Sequence, residues 1–176
     1  MPRSPNLNEL ISHAGRLFAS GDLERAAAYC REALKQSPDS VRALLLLSAC
    51  RMSMGDTVGA ETTLARAAAL APREPDVLVG HASALVKLGR NEEAGAALDR
   101  ALAIRPGDPN ASALKAEALF RARRFDDAAE LLKPFLTARP APLGAALTLA
   151  TLCQRVPLHE PTIAMLRSCL DDPALP

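Results

Sequence analysis

Apolar residues recur three or four positions apart over most of this chain, which is the spacing of one face of an α-helix. Ala26, Cys30 and Ala33 form one such face. The same pattern returns at Ala60, Leu64 and Ala67, at Ala94, Leu98 and Ala101, and at Ala128, Leu132 and Phe135. Polar and proline-containing stretches separate these segments. The pattern therefore predicts a series of amphipathic helices of about 12 residues each.

Four prolines mark a regular repeat in the chain. Pro38, Pro72, Pro106 and Pro140 follow one another at intervals of 34 residues, each after an apolar, mostly Ala- and Leu-containing segment. Because proline cannot continue a helix without losing a hydrogen bond, we expect a helix to end before each of them. The chain accordingly divides into blocks 7–40, 41–74, 75–108 and 109–142.

A second column of residues places a turn in the middle of each block. Gly21, Gly55 and Gly89 share this column, and Arg123 occupies it in the fourth block. Glycine readily takes the left-handed conformation that ends a first helix. Nearby residues are expected to cap the second helices, namely Asp22, Asp56, Asn91 and Asp126. Each block is thus a predicted helical hairpin, which must stack on its neighbours to bury both faces.

The chain resembles the tetratricopeptide repeat (TPR) family over residues 7–142, and less clearly to residue 170. The resemblance lies in the 34-residue helical hairpin, the small residues in fixed columns and the closing proline. The family's Trp-xx-Leu-Gly-xx-Tyr opening is degenerate here. The family's first large position is occupied by Leu10, Leu44, Leu78 and Ser112. Its small position is occupied by Ala14, Ser48, Ala82 and Ala116. Its aromatic position is occupied by Leu17, Arg51, Leu85 and Leu119. The resemblance implies an all-α, right-handed superhelical solenoid of about five stacked hairpins.

The repeat pattern changes towards the C-terminus. Pro134 lies inside the predicted second helix of the fourth block and is expected to kink or shorten it. Residues 143–172 are interpreted as an irregular fifth repeat that closes the stack, with Pro157 in place of the turn glycine and Pro161 in the first turn of a helix. We therefore expect residues 1–176 to form a single solenoid domain.

Composition and charge narrow the range of partners. Apolar residues make up 49% of the chain and aromatic residues 3%, so the interior must consist largely of Ala and Leu. The formal net charge is +1, which gives no overall attraction for nucleic acid. No apolar run approaches the roughly 20 residues that a membrane span requires, and we expect neither membrane insertion nor a secretion signal. Frequent Ala and Arg suggest a GC-rich bacterial genome.

The cysteines and histidines show no catalytic arrangement. Cys30, Cys50, Cys153 and Cys169 are far apart and favour reduced packing roles in the cytoplasm, with a redox or disulfide role as the alternative. His13 and His81 share one repeat column, which favours packing. The sequence contains no phosphate-binding glycine loop, no GxSxG motif and no HExxH motif. We predict a protein that is not an enzyme and that needs no cofactor or metal.

The family resemblance implies a binding surface on the concave face, at the fifth and twelfth residues of each first helix. Those columns are largely apolar here, and charged residues border them. The predicted groove comprises Ile11, Phe18, Leu45, Met52, Val79, Val86, Lys87, Glu117, Phe120, Arg121 and Leu147. It would accept an amphipathic helix or an extended apolar segment. The alternative for each residue is ordinary packing between neighbouring helices.

Three functions remain open at this level. The first is a cytosolic adaptor that binds a protein or peptide partner. The second is the N-terminal TPR region of a larger enzyme, such as a sulfotransferase or glycosyltransferase, since Leu170–Pro176 resembles the linker found in such fusions. The third is self-association through the apolar groove or an open end of the stack. Binding of a partner's C-terminal carboxylate is not expected, because no cluster of Lys and Asn converges on the inner face.

Overall fold

The computed structural model describes residues 5–137, and within them it contains eight α-helices and no β-strand. The predicted all-α fold class is confirmed. Expectations for Pro140, Leu147, Cys153, Cys169 and the fifth repeat lie outside the described residues. The helices are α1 (Leu7–Ala19), α2 (Leu23–Gln36), α3 (Val41–Ser53), α4 (Thr57–Leu70), α5 (Pro75–Lys87), α6 (Asn91–Ile104), α7 (Pro109–Arg121) and α8 (Phe125–Thr137).

The chain divides into two compact units, Met1–Leu88 and Gly89–Pro176. In the first unit, helices α1 to α5 pack in sequence, each against the next, and α1 also contacts α3. In the second unit, α6 packs on α7 and α7 packs on α8. This is the arrangement expected of stacked helical hairpins. A single solenoid over residues 1–176 remains a prediction.

The turn column is confirmed in all four blocks. Gly21, Gly55 and Gly89 have φ angles of 83°, 84° and 77°, and Arg123 has a φ of 62°. Each block thus ends its first helix with a residue in the left-handed region. The Arg124 N–H donates to the Leu119 carbonyl at 2.8 Å, as the residue after Gly21 does to Leu17 at 2.9 Å. Arg123 therefore adopts a glycine-like conformation, which costs a residue with a side chain roughly 1–2 kcal/mol.

Two of the four predicted helix caps are confirmed and two are wrong. The Asp22 and Asp56 side chains accept hydrogen bonds from the backbone N–H groups of Arg25 and Gly59. In the third and fourth blocks, the residue directly after the turn column is an arginine. Arg90 is therefore the N-cap of α6, without a side-chain cap bond, and Asn91 is already its first helical residue. Asp126 likewise lies inside α8, which begins at Phe125.

Small residues build the interior as the repeat predicts. Ala26, Ala60, Ala94 and Ala128 are all completely buried. An alanine at such a position lets two helices approach closely, since its methyl group is the only side-chain group between them.

The prolines of the repeat follow the ends of the second helices. The helices α2, α4 and α6 end two residues before Pro38, Pro72 and Pro106. Pro134 lies within α8, which continues to Thr137, where the described residues end.

Candidate protein-binding surface

Four of the predicted groove residues lie half-buried on the first helices of the first unit. They are Phe18 on α1, Leu45 and Met52 on α3, and Val79 on α5. Leu45 and Met52 are seven residues apart, which places them about two turns apart on one face of α3. Partial exposure leaves apolar surface on each of them that a partner could cover. We call Leu45, Met52 and Val79 the apolar stripe.

Two other predicted groove residues belong to the interior. Ile11 is 7% exposed and Val86 is 2% exposed. Ile11 packs in a cluster with Leu10, Ala33 and Ala43, which explains its burial on α1. Packing is therefore the main role of both side chains. Lys87, which follows Val86 at the end of α5, is exposed.

The second unit holds the predicted residues Glu117, Phe120 and Arg121, all on α7. Phe120 is half-buried and meets Phe125 of α8 edge-on, with ring centroids 5.3 Å apart. The Glu117 carboxylate lies 2.8 Å from Nη2 of Arg121. The two residues are one helical turn apart, and their side chains are 42% and 49% exposed, so this ion pair contributes little to stability.

The two histidines in one repeat column are both half-buried, but they have different neighbours. The His13 ring packs against Tyr29 of α2, with centroids 4.5 Å apart and an angle of 62° between the planes. For His81 on α5, the ring atom Nε2 lies 3.3 Å from Oε1 of Glu61 on α4. Each ring therefore bridges a first helix and a second helix. This arrangement is consistent with the predicted packing role.

Two cysteines of the described chain share one interior cluster. Cys30 of α2 and Cys50 of α3 are both free and completely buried, with Ala14, Ala26 and Leu47 around them. Burial raises the pKa of the Cys30 thiol to about 12, and the neighbouring Cys50 thiol adds to the effect. Burial also raises the pKa of Cys50. Since thiolate is the reactive form, neither group is suited to nucleophilic chemistry.

One concave feature lies in the second unit and was not anticipated from sequence. Side chains of α6, α7 and α8 enclose an open cleft of about 630 Å³. Three helices contribute to it, so no single-helix pattern could reveal it.

No group of three or more His, Cys, Asp or Glu side chains in residues 5–137 is arranged to hold a metal ion. Nor is any of the helices α1 to α8 both long and apolar enough to cross a membrane.

Solved structures with the same fold include several TPR proteins. A crystal structure of MamA is 20% identical to this chain, with a TM-score of 0.78; the alignment covers 89% of this chain and 92% of the MamA chain. YrrB, described as a TPR protein with an unusual peptide-binding site, is 22% identical, with a TM-score of 0.72. That alignment covers 93% of this chain and 84% of the YrrB chain. An O-GlcNAc transferase mutant from Thermobaculum terrenum is 27% identical, with a TM-score of 0.60. This chain covers 26% of that transferase, and 85% of this chain is aligned.

The sequence itself carries the family signal. No curated protein matches this chain. A family model described as tetratricopeptide repeat matches residues 17–82 and 51–118, which together make up more than half of the chain. These residues include the turn glycines Gly21, Gly55 and Gly89 and the buried alanines Ala26, Ala60 and Ala94. The chain therefore belongs to the tetratricopeptide repeat family.

Proposed function

We propose that this protein is a cytosolic adaptor that binds an amphipathic helix or an extended apolar segment of a partner protein on the apolar stripe of its first helices. The observation that carries the proposal is the partial exposure of Leu45, Met52 and Val79. Leu45 and Val79 occupy the same repeat column on α3 and α5, and Met52 lies on α3 in the other predicted column. YrrB, a protein of the same fold with an unusual peptide-binding site, lends support.

The chemistry of the stripe suits a partner with alternating or helical apolar anchors. Covering apolar surface contributes about 25 cal/mol for each Å² removed from water, so three or four anchors could supply a specific but reversible interaction. Met52 has a flexible thioether side chain that adapts to different shapes. Lys87 is exposed beyond the stripe at the end of α5 and would favour an acidic residue in the partner.

The proposed partner is not held by its C-terminal carboxylate. The ninth residues of the first helices, where some TPR domains place a carboxylate-binding side chain, are Gly15, Ala49 and Ser83 in the first three blocks. None of these side chains carries a positive charge. In the fourth block this residue is Glu117, which pairs with Arg121. Amidation of a partner's C-terminus should therefore leave binding unchanged.

Capture of partners with matched variants tests the proposal. The immobilised chain is exposed to soluble lysate of its source organism, and retained proteins are identified by mass spectrometry. The test variant carries Leu45→Glu, Met52→Glu and Val79→Glu. The control carries Met54→Glu, Val58→Glu and Leu70→Glu, which replace apolar residues of the same unit that are 42%, 65% and 41% exposed. Circular dichroism verifies that both variants keep the helical content of the wild type.

The two variants separate the proposal from its alternatives. The proposal expects a protein that wild type and control retain and the test variant loses. Equal retention by all three proteins would mean that the stripe is helix packing and that the groove assignment is wrong. Sedimentation of the free chain at several concentrations examines self-association, which would compete for the same surface. The proposal expects a constant monomer mass.

A second candidate function is the TPR region of a larger transferase. It is favoured by the 27% identity to the Thermobaculum terrenum O-GlcNAc transferase mutant, of which this chain covers 26%. An antibody against this chain would measure the size of the cellular protein by immunoblot. A band near 18.6 kDa would support the free adaptor. A much larger band would support the transferase region instead.

A further inference from the structure

Two exposed cations border the apolar stripe on one side. Arg42 lies three residues before Leu45 on α3. Lys87 lies eight residues after Val79 on α5. At about 100° per residue, the two cations are turned by about 60° and 80° from the apolar residue of their own helix, in the same sense. Their long side chains can therefore reach a segment that lies on the stripe.

The same two cations lie towards opposite ends of the first helices. Short connections join α3 to α4 and α4 to α5, and both pairs pack together, so each pair is antiparallel. The helices α3 and α5 therefore point in the same direction. Arg42 is the second residue of α3, and Lys87 is the last residue of α5. These positions are about 16 Å apart along the helix direction, at 1.5 Å per residue.

The helices that carry the stripe leave positive charge unpaired. Neither Arg42 nor Lys87 has an ion pair or a side-chain hydrogen bond within residues 5–137. The carboxylates of α1, α3 and α5 are Glu9 and Asp76, and both are engaged. Oε2 of Glu9 accepts a hydrogen bond from the Asn6 N–H at 2.9 Å, and Asp76 has an interaction of its own. A negatively charged segment would supply partners for both cations.

Small residues separate the cations from the apolar side chains. Ala49 on α3 and Ser83 on α5 each lie four residues after the apolar residue, Leu45 or Val79, of their own helix. They are therefore turned by about 40° from it, between the apolar and the charged positions. Both are half-buried. A bound segment can thus approach the helices closely while it contacts the stripe and the cations together.

We propose that the partner segment on the apolar stripe is an acidic amphipathic helix, with a carboxylate side chain at each end of its apolar face. This inference rests on the proposed function and names the chemistry of its partner. Eleven helical residues cover about 16 Å and complete about three turns, so side chains eleven positions apart face the same way. One carboxylate pairs with Arg42 and the other with Lys87. Two cations are too few to hold nucleic acid well.

Fluorescence anisotropy with three amidated peptides tests the charge preference. Each labelled peptide has about 16 residues with Leu on one helical face. The first carries Glu at both ends of that face, eleven positions apart, the second carries Gln there, and the third carries Lys. The test variant carries Arg42→Gln and Lys87→Gln. The control carries Arg31→Gln and Lys35→Gln, which remove the same charge from exposed positions of α2.

The proposal expects a preference that depends on the two cations. Wild type and control should bind the Glu peptide about tenfold more tightly than the Gln peptide at low salt, since two exposed ion pairs contribute modestly. The Lys peptide should bind more weakly than either. The test variant should bind the Glu and Gln peptides alike. Added salt should weaken the preference of the wild type.

A third variant separates this inference from the proposed function. Leu45→Gln, Met52→Gln and Val79→Gln remove apolar surface without adding charge, and this variant should bind none of the peptides. Equal binding of the Glu and Gln peptides by the wild type, or the same loss of preference in test and control variants, overturns the acidic helix. The proposed function then stands if the third variant fails to bind.

Two further outcomes also decide the matter. Peptide binding that survives in the third variant, with helical content unchanged by circular dichroism, contradicts both the acidic helix and the apolar stripe as a binding site. A wild type that binds none of the three peptides overturns the acidic helix alone. The capture experiment described above then decides the proposed function separately.

Discussion

The Arg51 guanidinium on α3 donates a hydrogen bond from Nη1 to the Thr63 hydroxyl on α4 at a distance of 2.6 Å. The same nitrogen donates to the Gly59 carbonyl at 2.8 Å, and the Thr63 hydroxyl donates to that carbonyl at 2.8 Å. Arg51 occupies the column where the family favours an aromatic residue and where the other blocks have leucine. A hydrogen-bond network thus replaces apolar packing in the second hairpin.

Removing Arg51 should destabilise the fold more than removing an exposed arginine of the same helix. Arg51→Ala leaves the Gly59 carbonyl with one donor fewer and opens a gap between α3 and α4, so we expect the free energy of unfolding to fall by about 1–3 kcal/mol. Urea unfolding measures the change, with Arg42→Ala as the control. A double-mutant cycle with Thr63→Val should give a coupling of about 1 kcal/mol. Strictly additive effects would show that the hydrogen bond between Arg51 and Thr63 does not stabilise the fold.

Replacing Arg123 by glycine should stabilise the protein. The left-handed conformation at this position, with a φ of 62°, costs a residue with a side chain more than it costs glycine. We expect Arg123→Gly to raise the free energy of unfolding by about 0.5–1 kcal/mol, after the larger entropy of glycine in the unfolded chain is included. The reciprocal change, Gly21→Ala, should lower it by a similar amount. A lower melting temperature for Arg123→Gly would contradict the assigned turn geometry.

The contribution of Asp108 to stability should depend on pH. Oδ1 of Asp108 accepts hydrogen bonds from the backbone N–H groups of Ala111 and Asn110. Its Oδ2 lies 3.0 Å from Nη1 of Arg105. The Ala111 hydrogen bond is the main cause of a pKa below the usual value for aspartate. Because the folded-state pKa is depressed, the stabilisation is complete above the unfolded-chain pKa of about 3.9 and is lost as pH falls through the folded-state pKa.

Comparison with Asp108→Asn measures this effect. Asparagine can still cap α7 but carries no charge. We expect the wild type to be more stable than Asp108→Asn at neutral pH and the difference to disappear in acid. Urea titrations at several pH values give the two curves. A difference that does not change with pH would show that the charge of Asp108 does not stabilise the folded state.

Cys30 and Cys50 should resist thiol reagents in the folded protein. Both are completely buried, and the pKa of Cys30 is raised to about 12, so almost no thiolate forms at pH 8. The measurement uses a Cys153→Ser, Cys169→Ser background and Ellman's reagent. Neither thiol should react until denaturant is added, whereas an added Met54→Cys, at a site that is 42% exposed, should react at once. Rapid reaction of the parent protein would show that this cluster opens readily.

The repeat columns were predictable because their causes are local. A residue that ends a helix in the left-handed region recurs every 34 residues, and it identified even Arg123 as a turn residue. The caps were harder, since the N-cap is the residue directly after this column. Asn91 and Asp126 lie one and two residues too late to cap their helices. The presence of Asp or Asn near the turn therefore does not by itself identify the N-cap residue; its position directly after the turn column also matters.

The candidate surfaces were less predictable because they depend on contacts between helices. Ile11 and Leu45 share a repeat column, but Ile11 is buried against Ala33 and Ala43 whereas Leu45 is partly exposed. The Arg51 network depends on a partner twelve residues away on another helix. The cleft in the second unit requires three helices. Periodicity identifies the face on which a residue lies, but it does not reveal how closely a neighbouring helix covers that face.

Site-specific photo-crosslinking tests the apolar stripe most directly. Met52 is replaced by p-benzoylphenylalanine, and Val58, which is 65% exposed on α4, is replaced in a separate control. Each variant is mixed with the protein that the capture experiment identifies and is then irradiated. We expect a covalent adduct from position 52 and none from position 58. Adducts from position 58 alone, or equal yields from both positions, would contradict binding on the stripe.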